Sequence, residues 1–259
     1  TYGGKDNLGQ DKQTSDEELK RIVHETIKRG GKVLIPTLGV GRSQEIMLVI
    51  ENMVRIGAME KTPIFIDGLI WDVTAIHTAY PEFLNNLIRK LIFHKDQNPF
   101  LSDIFKRVGS QEERRQIIEE TGPCVILATS GMLQGGPSVE YLRHLADNPK
   151  NSMVFVNYQG EGSLGRRIQR GEREYSVGNG SGKNEIVQIK LEVHTVEGFS
   201  GHSNRTQLLN FVAKCEPRPK KIIVNHGESS RCLDLASTLH KNFRVETIAP
   251  RNLEVVRVK

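Results

Sequence analysis

Four short apolar runs, each ending in small or polar residues and each followed by helix-like sequence, constrain this chain more than any other feature. They are Lys32-Val33-Leu34-Ile35-Pro36, Pro63-Ile64-Phe65-Ile66, Cys124-Val125-Ile126-Leu127-Ala128 and Ser152-Met153-Val154-Phe155-Val156. Runs this short and this apolar read as buried strands, and a strand that hands over to a helix rejoins its sheet by a right-handed crossover. The chain is therefore expected to be α/β, with a mostly parallel, Rossmann-like sheet and flanking helices.

Between the strands the punctuation is clear in most places. A first helix is expected from about Ser15 to Arg29, with Thr14 or Ser15 as its cap and Gly30-Gly31 as its stop. The glycine turn Gly39-Val40-Gly41-Arg42 opens a second helix that runs to about Ile56. Residues 69 to 121 show helical periodicity and few strand signals, so they read as a helical cover or insertion, broken at Asn98-Pro99-Phe100. Gly178 to Lys183 reads as a flexible turn inside a hairpin whose second arm is Glu185 to Val193. The closing third reads as strand, His202 turn, helix, strand (Lys221 to Val224), His226 turn, helix, and a strand near Phe243 to Thr247.

No apolar run approaches the roughly 18 residues that a membrane span needs, and the opening Thr1-Tyr2-Gly3-Gly4 is no signal peptide, so a cytoplasmic location is expected. The 3 cysteines form no Cys-x-x-Cys pair and read as buried or inert thiols. A net charge of +5 favours an anionic partner only weakly. The cluster of Arg166, Arg167, Arg170 and Arg173 says more: it suits a phosphate backbone, although a solvated helix end would explain it about as well.

Three turns at strand ends offer anion-binding geometry: Gly39 to Arg42, Thr129 to Pro137, and Gly162 to Arg167. Glycines let backbone N–H groups approach a ligand, and Arg42 or Arg166 can add a bidentate contact to phosphate. Two histidine segments, Gly198-Phe199-Ser200-Gly201-His202 and Val224-Asn225-His226-Gly227-Glu228, are expected at strand ends among small residues that leave the rings approachable. His24, His77, His94, His144 and His240 read as satisfied residues on helical faces or loop edges, with His194 less clear.

The order Gly41-Arg42-Ser43-Gln44-Glu45, Thr129-Ser130-Gly131-Met132, Tyr158 to Arg166, Gly198 to His202 and Asn225-His226-Gly227-Glu228 resembles the β-CASP branch of the metallo-β-lactamase nucleases. It is most similar to archaeal homologues of the cleavage and polyadenylation specificity factor nuclease, and Thr1 to Gly4 resembles the tail of that family's first β-CASP motif. The resemblance implies a two-zinc endoribonuclease, with 5′ to 3′ exonuclease activity among relatives. It would hydrolyse single-stranded RNA in 3′-end processing or turnover, in a cleft between a metallo-β-lactamase domain and an inserted β-CASP domain. By motif, His226 would be a zinc ligand and His202 would act at the scissile phosphate, while Arg42, Ser130, Gly131 and Arg166 would hold the RNA backbone. A homodimer is implied for the parent protein.

The family's principal metal motif, His-x-His-x-Asp-His, is absent, since the closest histidines, His194 and His202, are eight apart. The chain is accordingly expected to be the C-terminal part of a longer protein, inactive by itself. Residues 1–11 would end the first metallo-β-lactamase segment, 12–192 would form the β-CASP domain, and 193–259 would return to the αββα metallo-β-lactamase domain. The rival expectation is an RNA-binding or assembly module that does not cleave.

Overall fold

The structure, a computed structural model, describes residues 12–178, 184–199 and 202–258. The described residues form two compact units, one ending at Phe199 and one beginning at His202. In chain order the larger unit contains α1 (Lys12–Lys28), β1 (Lys32–Pro36), α2 (Arg42–Arg55), β2 (Ile64–Asp67), α3 (Ile70–Ala79), α4 (Asn86–Lys95), β3 (Phe105–Val108), α5 (Gln111–Glu119), β4 (Cys124–Ala128), α6 (Pro137–Leu145), β5 (Ser152–Phe155), α7 (Leu164–Gln169), β6 (Glu174–Gly178), β7 (Asn184–Gln188) and β8 (Glu192–Thr195). The smaller unit contains α8 (Arg205–Ala213), β9 (Lys221–Ile223), α9 (Ser229–Phe243) and β10 (Glu246–Ile248).

A six-stranded sheet of order β3-β2-β4-β1-β5-β8 organises the larger unit, and each of its pairings is parallel. Every residue of β1, β4 and β5 is buried, because successive side chains face opposite helical layers. Val33, Ile35, Val125 and Leu127 pack with Leu19, Ile22, Ile46, Met47 and Ile50 of α1 and α2. Leu34, Ile126 and Ala128 pack on the other face with Tyr141, Leu142 and Phe155. Each fully buried aliphatic side chain contributes about 1.5–3 kcal/mol, so these two layers supply the main stabilisation. Pro36, which has no N–H to donate, ends β1, and the ladder to β4 resumes at Thr37, whose N–H reaches the Ala128 carbonyl.

Several boundaries differ from those the sequence suggests. Ser15 is not a cap: it lies inside α1, where its hydroxyl donates to the Glu197 carbonyl at 2.5 Å. The stretch 69–121, read as helical, also holds β3, an edge strand whose middle residues Lys106 and Arg107 face solvent. Charges at an edge discourage further strand pairing, and here they also break the alternation that would have revealed the strand. The hairpin forms as β6 against β7, with its turn residues 179–183 outside the described residues. Its expected second arm is two strands: β7 ends at Gln188, and β8 turns away to pair in parallel with β5. The larger unit runs to Phe199.

In the smaller unit β9 and β10 pair in parallel, Lys221 to Glu246 and Ile223 to Ile248. Val212, Val224, Cys232, Leu235, Ala236 and Leu239 form its core. The last helix continues through Phe243, so the closing strand starts later than the sequence suggests. Cys124, Cys215 and Cys232 are free thiols, and burial pushes the Cys124 thiol up to about 12, as an inert core thiol requires.

At the carboxyl end of β2, Asp67 is 3 % exposed and accepts two hydrogen bonds from Arg114 of α5, at 2.8 and 3.2 Å. Arg114 also reaches Glu140 of α6 at 2.5 Å and lies over the Tyr141 ring. One guanidinium therefore ties a strand to two helices. Arg114→Ala leaves a buried carboxylate uncompensated and is expected to cost about 3–5 kcal/mol in denaturant unfolding. A change within about 1 kcal/mol, the value of an exposed pair, would show the tie to be peripheral.

Candidate functional site

The three glycine turns expected to bind anions all follow central strands of the larger sheet, at its carboxyl edge, where open α/β sheets carry their ligands. After β1, Gly41 adopts φ +76° and precedes α2, a conformation that glycine takes without strain. The Gln44 side chain accepts from the Gly41 N–H at 2.7 Å and donates to Thr74 Oγ1 at 3.0 Å, holding the turn against α3. Arg42 is partly buried and pairs with Glu45 one turn on, and burial lowers its pKa from the ordinary arginine value. Its Nε has no hydrogen-bond partner among the described residues.

After β4 the chain turns sharply at Thr129-Ser130, whose peptide bond is cis. Ser130 Oγ accepts from the Gln134 N–H at 3.0 Å, and the Ser130 carbonyl accepts from Ser138 Oγ at 2.8 Å. Gly131 is pressed against its neighbours: a Cβ there would lie 2.6 Å from Asn157 Nδ2 and 3.0 Å from the Thr37 carbonyl carbon. Its own carbonyl accepts from Asn157 Nδ2 at 2.9 Å and from Gln159 Nε2 at 2.7 Å. The Gly165 N–H in turn donates to the Met132 carbonyl at 3.3 Å. The second and third turns are thus joined directly, and Gly131 seats both beside the end of β1. Asn157 and Gln159 are the residues that sequence reasoning left without a role. The signal for them was a pair of amides just past a buried strand, where a polar side chain has to find partners.

Ser163 caps α7 by accepting from the Arg166 N–H at 3.1 Å. Arg166 lies 3.6 Å from Glu161, which also accepts from Arg170 at 2.5 Å, while Arg167 pairs with Glu172. The arginine cluster is therefore partly neutralised by local carboxylates. Pairs this exposed are each worth about 0–1 kcal/mol, so a phosphate could replace the carboxylates at little cost.

The smaller unit brings the two histidine segments together. The rings of His202 and His226 lie 5.9 Å apart between centroids, tilted by 33°. Both residues are exposed, and Ser200 and Gly201, just before His202, lie outside the described residues. Asn204 then caps α8 through a reciprocal pair of hydrogen bonds with Gln207, each 2.9 Å. His226 has φ +60°, an uncommon conformation for a residue with a side chain, at the turn from β9 into α9. Three of the other histidines take local roles: His77 Nδ1 is 2.8 Å from the Val73 carbonyl, His240 Nδ1 is 2.9 Å from the Val245 carbonyl, and His194 Nε2 is 3.2 Å from Glu192.

Imidazole is a good zinc donor, but a zinc site needs at least three protein ligands. Among the described residues no group of three or more His, Cys, Asp or Glu side chains converges. His202 and His226 alone do not fit a zinc ion.

Residues 43–168 match the Beta-Casp domain, and residues 186–250 match the Zn-dependent metallo-hydrolase RNA specificity domain. Over all 259 residues the chain is 52% identical to the transcription termination factor FttA of Thermococcus kodakarensis, covering 40% of that protein. It is 53% identical to the FttA proteins of Methanocaldococcus jannaschii and of a Lokiarchaeum, covering 41% of each. The chain thus spans about 40% of the length of the curated relatives it matches. No helix among the described residues is long and apolar enough to cross a membrane.

The close packing around Gly131 can be tested through stability. A Cβ on Gly165 would lie 1.8 Å from Gln159 Oε1 and 3.2 Å from Phe155, and Gln159 is only 1 % exposed, with its amide held at Gly131. Gly165→Ala is expected to lose about 1–3 kcal/mol in urea unfolding. Adding Gln159→Ala should return part of that loss, because the two residues compete for the same space. Strict additivity in this cycle would mean that the two side chains do not meet.

Proposed function

The chain belongs to the β-CASP family, a Beta-Casp domain followed by a metallo-hydrolase RNA specificity domain, and from that premise we propose that it is part of a zinc-dependent endoribonuclease. The activity is RNA phosphodiester hydrolysis, at or near transcript 3′ ends in the cytoplasm. The relatives' role as transcription termination factors fits that reading. The observation that carries it is the approach of His202 to His226, two motif histidines that sequence places 24 positions apart and the fold sets 5.9 Å apart.

Zinc in such an enzyme supplies an activated water and neutralises charge on the phosphate. Two imidazoles are too few to hold it by themselves. His226 contributes one donor to the whole protein's metal centre. His202 beside it holds or transfers a proton at the leaving oxygen of the scissile phosphodiester. Arg42 and Arg166 exchange their partners Glu45 and Glu161 for phosphates of single-stranded RNA, and Ser130 and Gly131 offer the backbone and hydroxyl surface of the neighbouring turn. The parent protein acts as a homodimer in this reading. A module that binds RNA without cleaving it would have no chemical use for the paired imidazoles.

In the full-length protein, His202→Ala is expected to slow cleavage of single-stranded RNA by about 10²–10⁴-fold while leaving RNA binding intact. His226→Ala should additionally reduce the zinc retained after dialysis. Unchanged cleavage in both variants would sink the assignment. Arg42→Ala and Arg166→Ala should weaken RNA binding and shrink the slope of log affinity against log salt by about 0.7 for each phosphate no longer neutralised. An unaltered slope would remove these arginines from the RNA path.

A further inference from the structure

The segment between β2 and β3 does more than cover the sheet. Around α3, α4 and the short turn between them, Ile76, Tyr80, Phe83, Leu87 and Phe93 are exposed, with Phe83 at 84 % and Leu87 at 69 %. Tyr80, Phe83 and Phe93 are three of the four highly exposed aromatic side chains among the described residues. Single exposed apolar residues are ordinary, but a concentration of large ones marks a surface that something covers.

Charge says what kind of partner would cover it. Helix α4, Asn-Leu-Ile-Arg-Lys-Leu-Ile-Phe-His-Lys, carries Arg89, Lys90 and Lys95 and no carboxylate. Its buried side is Ile88, with Leu91 and Ile92 partly buried, so Leu87, Arg89, Lys90, Phe93 and His94 point outward together. None of the three cations forms an ion pair among the described residues. Of the neighbouring carboxylates, Asp72 lies 3.8 Å from Arg107 and Asp103 pairs with Lys61, which leaves Glu82 and Asp96.

Beside α4 lies a cleft of about 410 Å³, lined by Leu91, Ile92, Pro99 and Leu101 with Glu51 and Arg55 at its side. Glu51 and Arg55 are on the last turns of α2, and Arg42 is at the first. At about 1.5 Å per residue the cleft is about 20 Å along that helix from the arginine proposed to hold RNA.

We propose that the α3–α4 segment is a docking surface for an acidic segment of another protein, one that seats bulky apolar anchors on Phe83, Leu87 and Phe93 and in the adjoining cleft. Aromatic anchors beside arginine are what dominate protein interfaces, and an amphipathic helix laid against such a face meets it at helical spacing. RNA fits less well. Ile76, Leu87 and Leu101 have no π face on which a base could stack. The acidic partner follows from the cations of α4, which steer and orient it more than they hold it.

The test uses the intact chain and a synthetic helical peptide with leucine and phenylalanine at i, i+3/i+4 and i+7 and glutamates between them, followed by fluorescence anisotropy. The peptide should bind with an affinity that falls as salt rises, and should protect residues 80–102 from hydrogen exchange. Phe83→Ala with Leu87→Ala, and separately Arg89→Glu with Lys90→Glu, should each weaken binding about tenfold or more without altering the circular dichroism spectrum. Arg42→Ala should leave it unchanged, which separates this surface from the RNA reading. Failure to bind, equal binding of a lysine-for-glutamate peptide, or insensitivity to the substitutions overturns the proposal. So does oligouridine competing for the same residues, or self-association of the chain that Phe83→Ala abolishes.

Discussion

The larger unit depends on the double burial of β1 and β4. Their side chains alternate between two helical layers, Val33 and Ile35 to one and Leu34 to the other, so neither strand can shift by a residue without moving its whole set to the wrong layer. That locks the register from Lys32 opposite Cys124 through Pro36 opposite Ala128. It also brings the ends of β4, β1 and β5 side by side. The glycine turns are neighbours because the strands beneath them cannot be anything else.

On that edge, geometry is held by amides and charge is held in reserve. Asn157 and Gln159 both donate to the Gly131 carbonyl, and the absence of a side chain at Gly131 lets the turn sit against the end of β1. Arg42 and Arg166 instead face Glu45 and Glu161 on their own turns. The buried Gln159 amide is costly to disturb, whereas the more exposed Arg166–Glu161 pair is not. The edge therefore combines a rigid frame with a cation that can change partners.

Much of this was legible along the chain, and where it was not the reason is physical. The central strands were plain because both faces are buried and no polar residue interrupts them. Strand β3 was hidden because an edge strand is free to carry Lys106 and Arg107, which erase the apolar alternation. The split of the hairpin's second arm into β7 and β8 was hidden for another reason. Both halves have strand composition, and only pairing distinguishes an antiparallel partner of β6 from a parallel partner of β5. Ser15 resembled a cap because its residue type suits one, and tertiary contact with Glu197 gave it a different use.

Sequence alone determined the α/β class, the placement of the central strands, the motifs that hold Arg42, Ser130, Gly131, Arg166, His202 and His226, and through them the family. Those are local properties, carried by residue type and spacing. Tertiary structure alone decided that Gly131 is seated by Asn157 and Gln159, that the arginines begin in carboxylate pairs, and that His202 and His226 lie side by side. It also decided that the segment between β2 and β3 turns aromatic side chains outward beside the cations of α4. Each of these depends on which distant residues meet, and a one-dimensional pattern does not contain that distance.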